Sequence, residues 1–211
     1  MSTEFASASY TAGQLNAMVK LLKKQAGEDG PCRFLRGEIT VTEPEHAWRE
    51  QDGVIYFSVT SDGTTGEEWI KRLEGKNFRV SDYAKSVLRS SDFKPTDGVT
   101  TEIAVLKGML FSDDDRVTKK ICAEADKRNL TKPNAEVACL IREKFTDKEL
   151  EAMGRLWGIV AMHEPIKDSD GAPLLLDAHR VGVGRWLHAY FGHPDFRWLC
   201  EHGFAFAVSQ V

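Results

Sequence analysis

The sequence predicts an α+β fold with a helical N-terminal portion and a short β-rich C-terminal end. Three observations carry this. Capped, periodically apolar segments of helical length recur through the first three quarters of the chain. After Gly154 the apolar residues fall in short runs bounded by Gly, Pro and Asp, as strands do. Composition also shifts near the end. From Ala172 to Val211 there is no Lys, Asn, Thr, Ile or Met, while the same stretch holds four of the six histidines and two of the five tryptophans.

In chain order, Met1 to Tyr10 is small and polar and reads as a tail. Thr11 is placed to cap a helix whose apolar positions include Leu15, Met18, Val19 and Leu22, and Gly27 to Pro31 ends it. Gly37 to Thr42 and Gly53 to Thr60 have strand composition, followed by a turn at Ser61-Asp62-Gly63. Thr65 and Glu68 have capping-box spacing ahead of Trp69, Ile70 and Leu73. Ser81 caps the next helix, with Tyr83, Ala84, Val87 and Leu88 along it, and Thr100 to Leu106 reads as a strand.

Asp113, Asp114 and Asp115 favour the positive end of a helix reaching Arg128. A further helix starts near Lys132-Pro133, burying Val137, Leu140 and Ile141, and Thr146 opens a short one that Gly154 stops. Trp157 to Met162, Leu174 to Arg180, Gly184 to Tyr190 and Gly203 to Ser209 are the C-terminal strands, with a turn over Lys167 to Pro173.

Bulk properties narrow the function. At 211 residues the chain can bury a sizeable core. A net charge of −4 with interspersed signs argues against a nucleic-acid partner. No apolar run is long enough for a membrane span, and the N-terminal stretch lacks the basic and apolar parts of a secretion signal. Cys32, Cys122, Cys139 and Cys200 form no CxxC pair and read as free thiols in a reducing compartment. A cytoplasmic location follows, display at a surface by another route remaining open.

Several constellations bear on chemistry. Asp168-Ser169-Asp170-Gly171 resembles the start of a calcium loop, yet the twelfth position holds His179 where a bidentate Glu is needed, so an Asx turn is the simpler reading. His163 and Glu164 are adjacent, and adjacent strand residues face opposite ways. The C-terminal histidines with Asp195, Cys200 and Glu201 could be metal donors, but their spacing matches no zinc pattern, and neither a metal nor another cofactor is expected. Phosphate-loop, GxSxG and HExxH motifs are absent.

Leu175-Leu176-Asp177-Ala178-His179-Arg180, Gly184-Arg185-Trp186-Leu187-His188-Ala189-Tyr190, Pro194-Asp195-Phe196-Arg197-Trp198 and Gly203-Phe204-Ala205-Phe206 carry a resemblance. The segment resembles the end of C-type-lectin-like domains of the formylglycine-generating-enzyme type. It is closer still to the variable region of diversity-generating retroelement target proteins. In that family a reverse transcriptase rewrites adenines in a template copy, and the altered codons fall on the ligand-binding face of a C-type-lectin fold. An AAY codon rewritten at its adenines still ends in a pyrimidine, so it never encodes Lys, Glu, Gln, Met or Trp.

The resemblance implies two regions, a tail and helix over 1–36 and a C-type-lectin-like domain over 37–211 with its variable region at about 175–206. It implies a contact set of His179, Val181, Val183, His188, Tyr190, Phe191, His193, Phe196, Leu199, Cys200 and His202, all of pyrimidine-ending types. Trp186, Trp198, Arg180, Gly184 and Gly203 would be framework. The expected role is non-catalytic: an exposed surface docking a protein or other macromolecular ligand, with aromatic anchors and adaptable imidazoles. The rivals are a metal-assisted hydrolytic enzyme using His163, Glu164 and the C-terminal histidines, and a plain structural interaction module. The family's cysteine-oxidising activity needs a cysteine pair, and here Cys200 stands alone in the region.

Overall fold

A computed structural model describes residues 11–40, 46–181 and 184–209, with the side chain of Val181 outside the description. The chain divides into two compact units, Met1–His46 and Ala47–Val211.

In the first unit, α1 (Ala12–Ala26) opens with a full capping box. The Gln14 amide donates to Thr11 Oγ1, and the Thr11 amide donates back to Gln14 Oε1. α2 (Gly30–Leu35) follows after three residues, with Pro31 in its first turn. It ends where the Glu38 amide reaches the Arg33 carbonyl and the Gly37 amide reaches that of Phe34, Gly37 adopting a φ of 71°. That C-terminal lock holds the residues after Arg36 in a turn, so the strand expected from Gly37 to Thr42 does not form over Gly37–Thr40. Residues 41 and 42, and the expected tail Met1–Tyr10, lie outside the described residues.

The second unit has α+β architecture built on one large mixed sheet. Its elements are β1 (Arg49–Gln51), β2 (Val54–Asp62), α3 (Gly66–Gly75), β3 (Arg79–Val80), α4 (Asp82–Arg89), β4 (Asp97–Lys107), α5 (Thr118–Lys127), β5 (Leu130–Thr131), α6 (Val137–Lys144), α7 (Asp147–Ala152), β6 (Gly158–Ala161), β7 (Ile166–Lys167), β8 (Pro173–Val181), β9 (Gly184–Phe191) and β10 (His202–Val208). Strand order is β1-β2-β4-β10-β6-β8-β9-β3, with β5 beside β10 and β7 beside β8. Pairings are antiparallel except β10 with β6 and β3 with β9. The C-terminal strands therefore do not form a segregated end. β10 is the central strand, locked between β4 from the middle of the chain and β6.

Because side chains alternate across a strand, each sheet face has its own core. One face buries Ile55, Phe57, Ile103, Val105, Ile159, Leu176, Ala178 and Leu187 under α3, α4 and α6, with Trp69, Leu73, Val87 and Ile141 facing inward. The other buries Val54, Leu106, Val160, Leu175, Phe204 and Phe206 under Ile121 and Ala125 of α5 and under Trp198, which lies on the segment between β9 and β10.

Two helices begin later than the acidic and proline signals predict. α5 starts at Thr118, not Asp113, because its first free amides are met from far along the chain. The Thr118 amide donates to the Phe196 carbonyl and the Lys119 amide to that of Pro194. Meanwhile Ser112 bonds Asp115, and the Arg116 guanidinium donates to the Gly108 and Phe111 carbonyls, holding that stretch as a turn. α6 starts at Val137, since Asn134 caps a turn of its own by accepting from the Glu136 amide. No helix among the described residues is long and apolar enough to cross a membrane.

Candidate functional site

The site lies on the second face, where β8, β6 and β10 run side by side. Gly158 on β6 is opposite His179 on β8 and also opposite His202 on β10. Cross-strand partners share a face, so two imidazoles flank a residue with no side chain. Asp177 is two residues before His179 and projects from the same side of β8. Across the hairpin, Asp177 is opposite His188, and Leu175 is opposite Tyr190.

These rings touch one another in an unbroken network. His179 stacks near His202 at 6.0 Å between centroids and meets Tyr190 at 6.0 Å. Tyr190 lies 4.8 Å from His188 and 6.4 Å from Phe196, and Phe196 continues to Phe191 at 6.5 Å. Trp198 stands in the middle, 4.7 Å from Phe196, 5.7 Å from Tyr190 and 5.7 Å from His202. Its indole Nε1 donates to Thr118 Oγ1 at 3.0 Å, which fixes the ring in place. Trp198 is thus a buried ring held by a hydrogen bond.

Exposure is graded across the network. Phe191, Leu199, His193 and Cys200 are exposed; His188, Tyr190 and Phe196 are half-buried; His179 and His202 are buried. The expectation that the whole contact set projects into solvent fails for His179 and His202. Both sit on interior strands beside Gly158, and Trp198 roofs the nearby face. Val181 belongs to β8, its side chain not described, and Val183 lies outside the described residues.

The buried floor is polar and poorly satisfied. Asp177 Oδ2 pairs with His179 Nδ1 at 2.8 Å. Asp177 Oδ1, both ring nitrogens of His202 and Nδ1 of His188 are buried with no hydrogen-bond partner among the described residues. Burial lowers the pKa of both His188 and His202, favouring the neutral imidazole, and raises that of the Tyr190 phenol. From behind, the fully buried Arg142 donates Nη1 to the His179 carbonyl at 3.0 Å and Nη2 to the Phe145 carbonyl and Asp147. This guanidinium ties β8 to the junction of α6 and α7.

Other candidates take no part in this cluster. His163 is buried with both nitrogens engaged: Nε2 accepts the Leu176 amide, so the proton sits on Nδ1, which donates to the Glu164 carbonyl. Glu164 points elsewhere and pairs with Lys132 at 2.5 Å. Asp195 pairs with Lys119 on the surface. Asp168 Oδ1 accepts the Asp170 and Ala172 amides, an Asx turn. All four cysteines are free.

Sequence reasoning missed Asp177, Gly158 and Arg142 as parts of the site. Asp177 had a signal: two residues before His179 on a strand, it must share that side chain's face. Gly158 and Arg142 had none, because their roles depend on strand order. No protein family, characterised protein or solved structure matches the chain.

Proposed function

We propose that this is a ligand-recognition protein whose contact surface is the β8–β9 hairpin and the segment leading into β10, displayed on a C-type-lectin-like scaffold and diversified by a retroelement. One observation carries the reading. Six residues of the contact set that the resemblance implies, His179, His188, Tyr190, Phe191, Phe196 and His202, form a single connected group of rings. They are spread over three strands and a loop, and apart from His188 and Tyr190, two residues apart on β9, spacing gives no reason for them to meet. Of the residues assigned to the framework, Trp198 and Gly203 are buried, and Arg180, Gly184 and Trp186 are half-buried.

Recognition on such a surface works by contact. Phe191 and Leu199 offer exposed apolar anchors, and Tyr190 and Phe196 offer the half-buried ring edges between them. His193 adds an adaptable donor or acceptor. No bond is made or broken. The partner is a protein or another macromolecule, met by a surface whose side chains change while the backbone beneath them does not.

The test is genetic. DNA beside the gene should hold a near-copy of the codons for Leu175 to Phe206, with adenines at the contact positions, and a reverse-transcriptase gene. Sibling isolates should differ at those codons and nowhere else. Substitutions scattered evenly along the gene, with no such copy nearby, would dismiss the reading.

A further inference from the structure

We infer that Asp177, His179 and His202 form a binding site for a divalent transition-metal ion, with zinc the species their donors match best. The inference stands on the geometry of these three side chains and does not depend on the surface above them being a recognition surface.

Three observations lead to it. One donor atom from each residue lies within 4.8 Å of the other two, and all three residues are buried. Tetrahedral zinc with bonds of about 2.0–2.1 Å sets its ligands roughly 3.4 Å apart, so small rotations of the rings and carboxylate close the set. Second, the buried imidazole of His202 has neither nitrogen hydrogen-bonded, and Asp177 Oδ1 is likewise without a partner among the described residues. Leaving a buried polar atom unsatisfied costs about 1–3 kcal/mol, and one cation would satisfy several at once. Third, Gly158 between the two histidines lets the donors crowd together over bare backbone: a Cβ there would lie 2.5 Å from Asp177 Oδ1 and 2.9 Å from His179 Nδ1, and so would push them apart.

Donor chemistry selects the ion. Two imidazoles and one carboxylate suit zinc and its transition-metal neighbours, whereas calcium and magnesium favour oxygen throughout. Three protein donors leave one tetrahedral position, which water or a donor from a docked molecule takes. Only two of the four C-terminal histidines contribute, and they are 23 residues apart (202 − 179). That is why no zinc spacing is visible along the chain.

The experiment titrates the metal-stripped full chain with Zn²⁺ against a chromophoric chelator, and with Co²⁺ while following the histidine ring resonances. Saturable 1:1 binding is expected, with Co²⁺ broadening the His179 and His202 rings ahead of the exposed His193. Asp177→Asn and His202→Phe should each weaken Zn²⁺ by about 100-fold or more, since even outer-sphere partners of metal ligands are worth 10–100-fold. Asp195→Asn should bind as the unaltered chain does. The Co²⁺ broadening needs no variant and holds even where His202→Phe fails to fold. Absence of saturable binding, broadening confined to His193, or equal affinity in folded Asp177→Asn would overturn the inference.

Discussion

Gly158 stands opposite His179 across the β6–β8 pair, and a Cβ built on it would fall 2.9 Å from His179 Nδ1 and 2.5–2.7 Å from both Asp177 carboxylate oxygens. The absence of a side chain at one position thus sets the arrangement of two functional groups on the next strand. Its own backbone conformation is not the constraint, because Gly158 is absent from the positive-φ residues. The constraint is volume.

Gly158→Ala follows directly. The added methyl must push aside Asp177, His179 or a strand. Overpacking of this kind costs about 1–3 kcal/mol, to be read as a lowered urea midpoint with an unchanged slope. An Ala variant as stable as the parent would mean that the two side chains leave this space without cost.

The proposed contact positions should separate from buried Trp198 by stability. Substituting Phe191, His193, Leu199 or Cys200 with other pyrimidine-codon residues should move stability by about 0.5 kcal/mol or less, because these side chains are exposed. Trp198→Ala removes a ring packed on Phe196, Tyr190, His202 and Phe204 and should cost about 3–5 kcal/mol. Denaturation midpoints across the set check this, and Leu199 or Phe191 variants that unfold the chain would assign those residues to the core.

Arg142→Met tests the support behind β8. The substitution keeps much of the apolar stem but strands the His179 and Phe145 carbonyls, both of which accept from this guanidinium. Two lost charge-assisted hydrogen bonds at about 1.5–3 kcal/mol each are partly offset, because Asp147 is half-exposed and can be hydrated. A net loss of about 2–3 kcal/mol is expected from the urea midpoint. Burial lowers the pKa of this group, but a guanidinium keeps its charge in proteins, so the loss should not vary between pH 6 and 8. A neutral substitution here would show that water replaces the guanidinium at both carbonyls.

What could be read from the chain and what could not divide along one physical line. Thr11 with Gln14, Thr65 with Glu68, Ser81, and Thr146 with Glu149 cap their helices as their spacing predicts, because both partners lie within one turn. Asp113–Asp115 misleads because the start of α5 is set by the Pro194 and Phe196 carbonyls, far away in sequence. The strands β8 and β9 are legible, but the insertion of β10 between β4 and β6 is not, since register across distant strands leaves no local mark. The same holds at the site. The resemblance includes His179 and His202 in its contact set, whereas their burial and their meeting with Asp177 depend on strand order, with Gly158 lying between them.

His163 gives the clearest pH dependence. It is buried, with Nδ1 donating to the Glu164 carbonyl and Nε2 accepting the Leu176 amide, an arrangement only the neutral ring can make. Burial is the main cause that pulls its pKa down from 6.5 to about 4. The folded pKa lies below the unfolded one, so between these values the unfolded chain binds more protons. The contribution is therefore fully present above about pH 6.5 and is lost as pH falls through 4. A shift of this size corresponds to about 3 kcal/mol across that window. His163→Gln keeps an acceptor for the Leu176 amide and cannot titrate. It should be less stable than the parent at pH 7 by about 1–2 kcal/mol, for loss of the Nδ1 bond, and should lose less stability on going to pH 4.5. Carboxylates, His188 and His202 titrate in both chains, so the difference between the two pH profiles isolates His163. Parallel profiles would show that His163 binds its proton equally well in the folded and unfolded chains, and would overturn the lowered pKa.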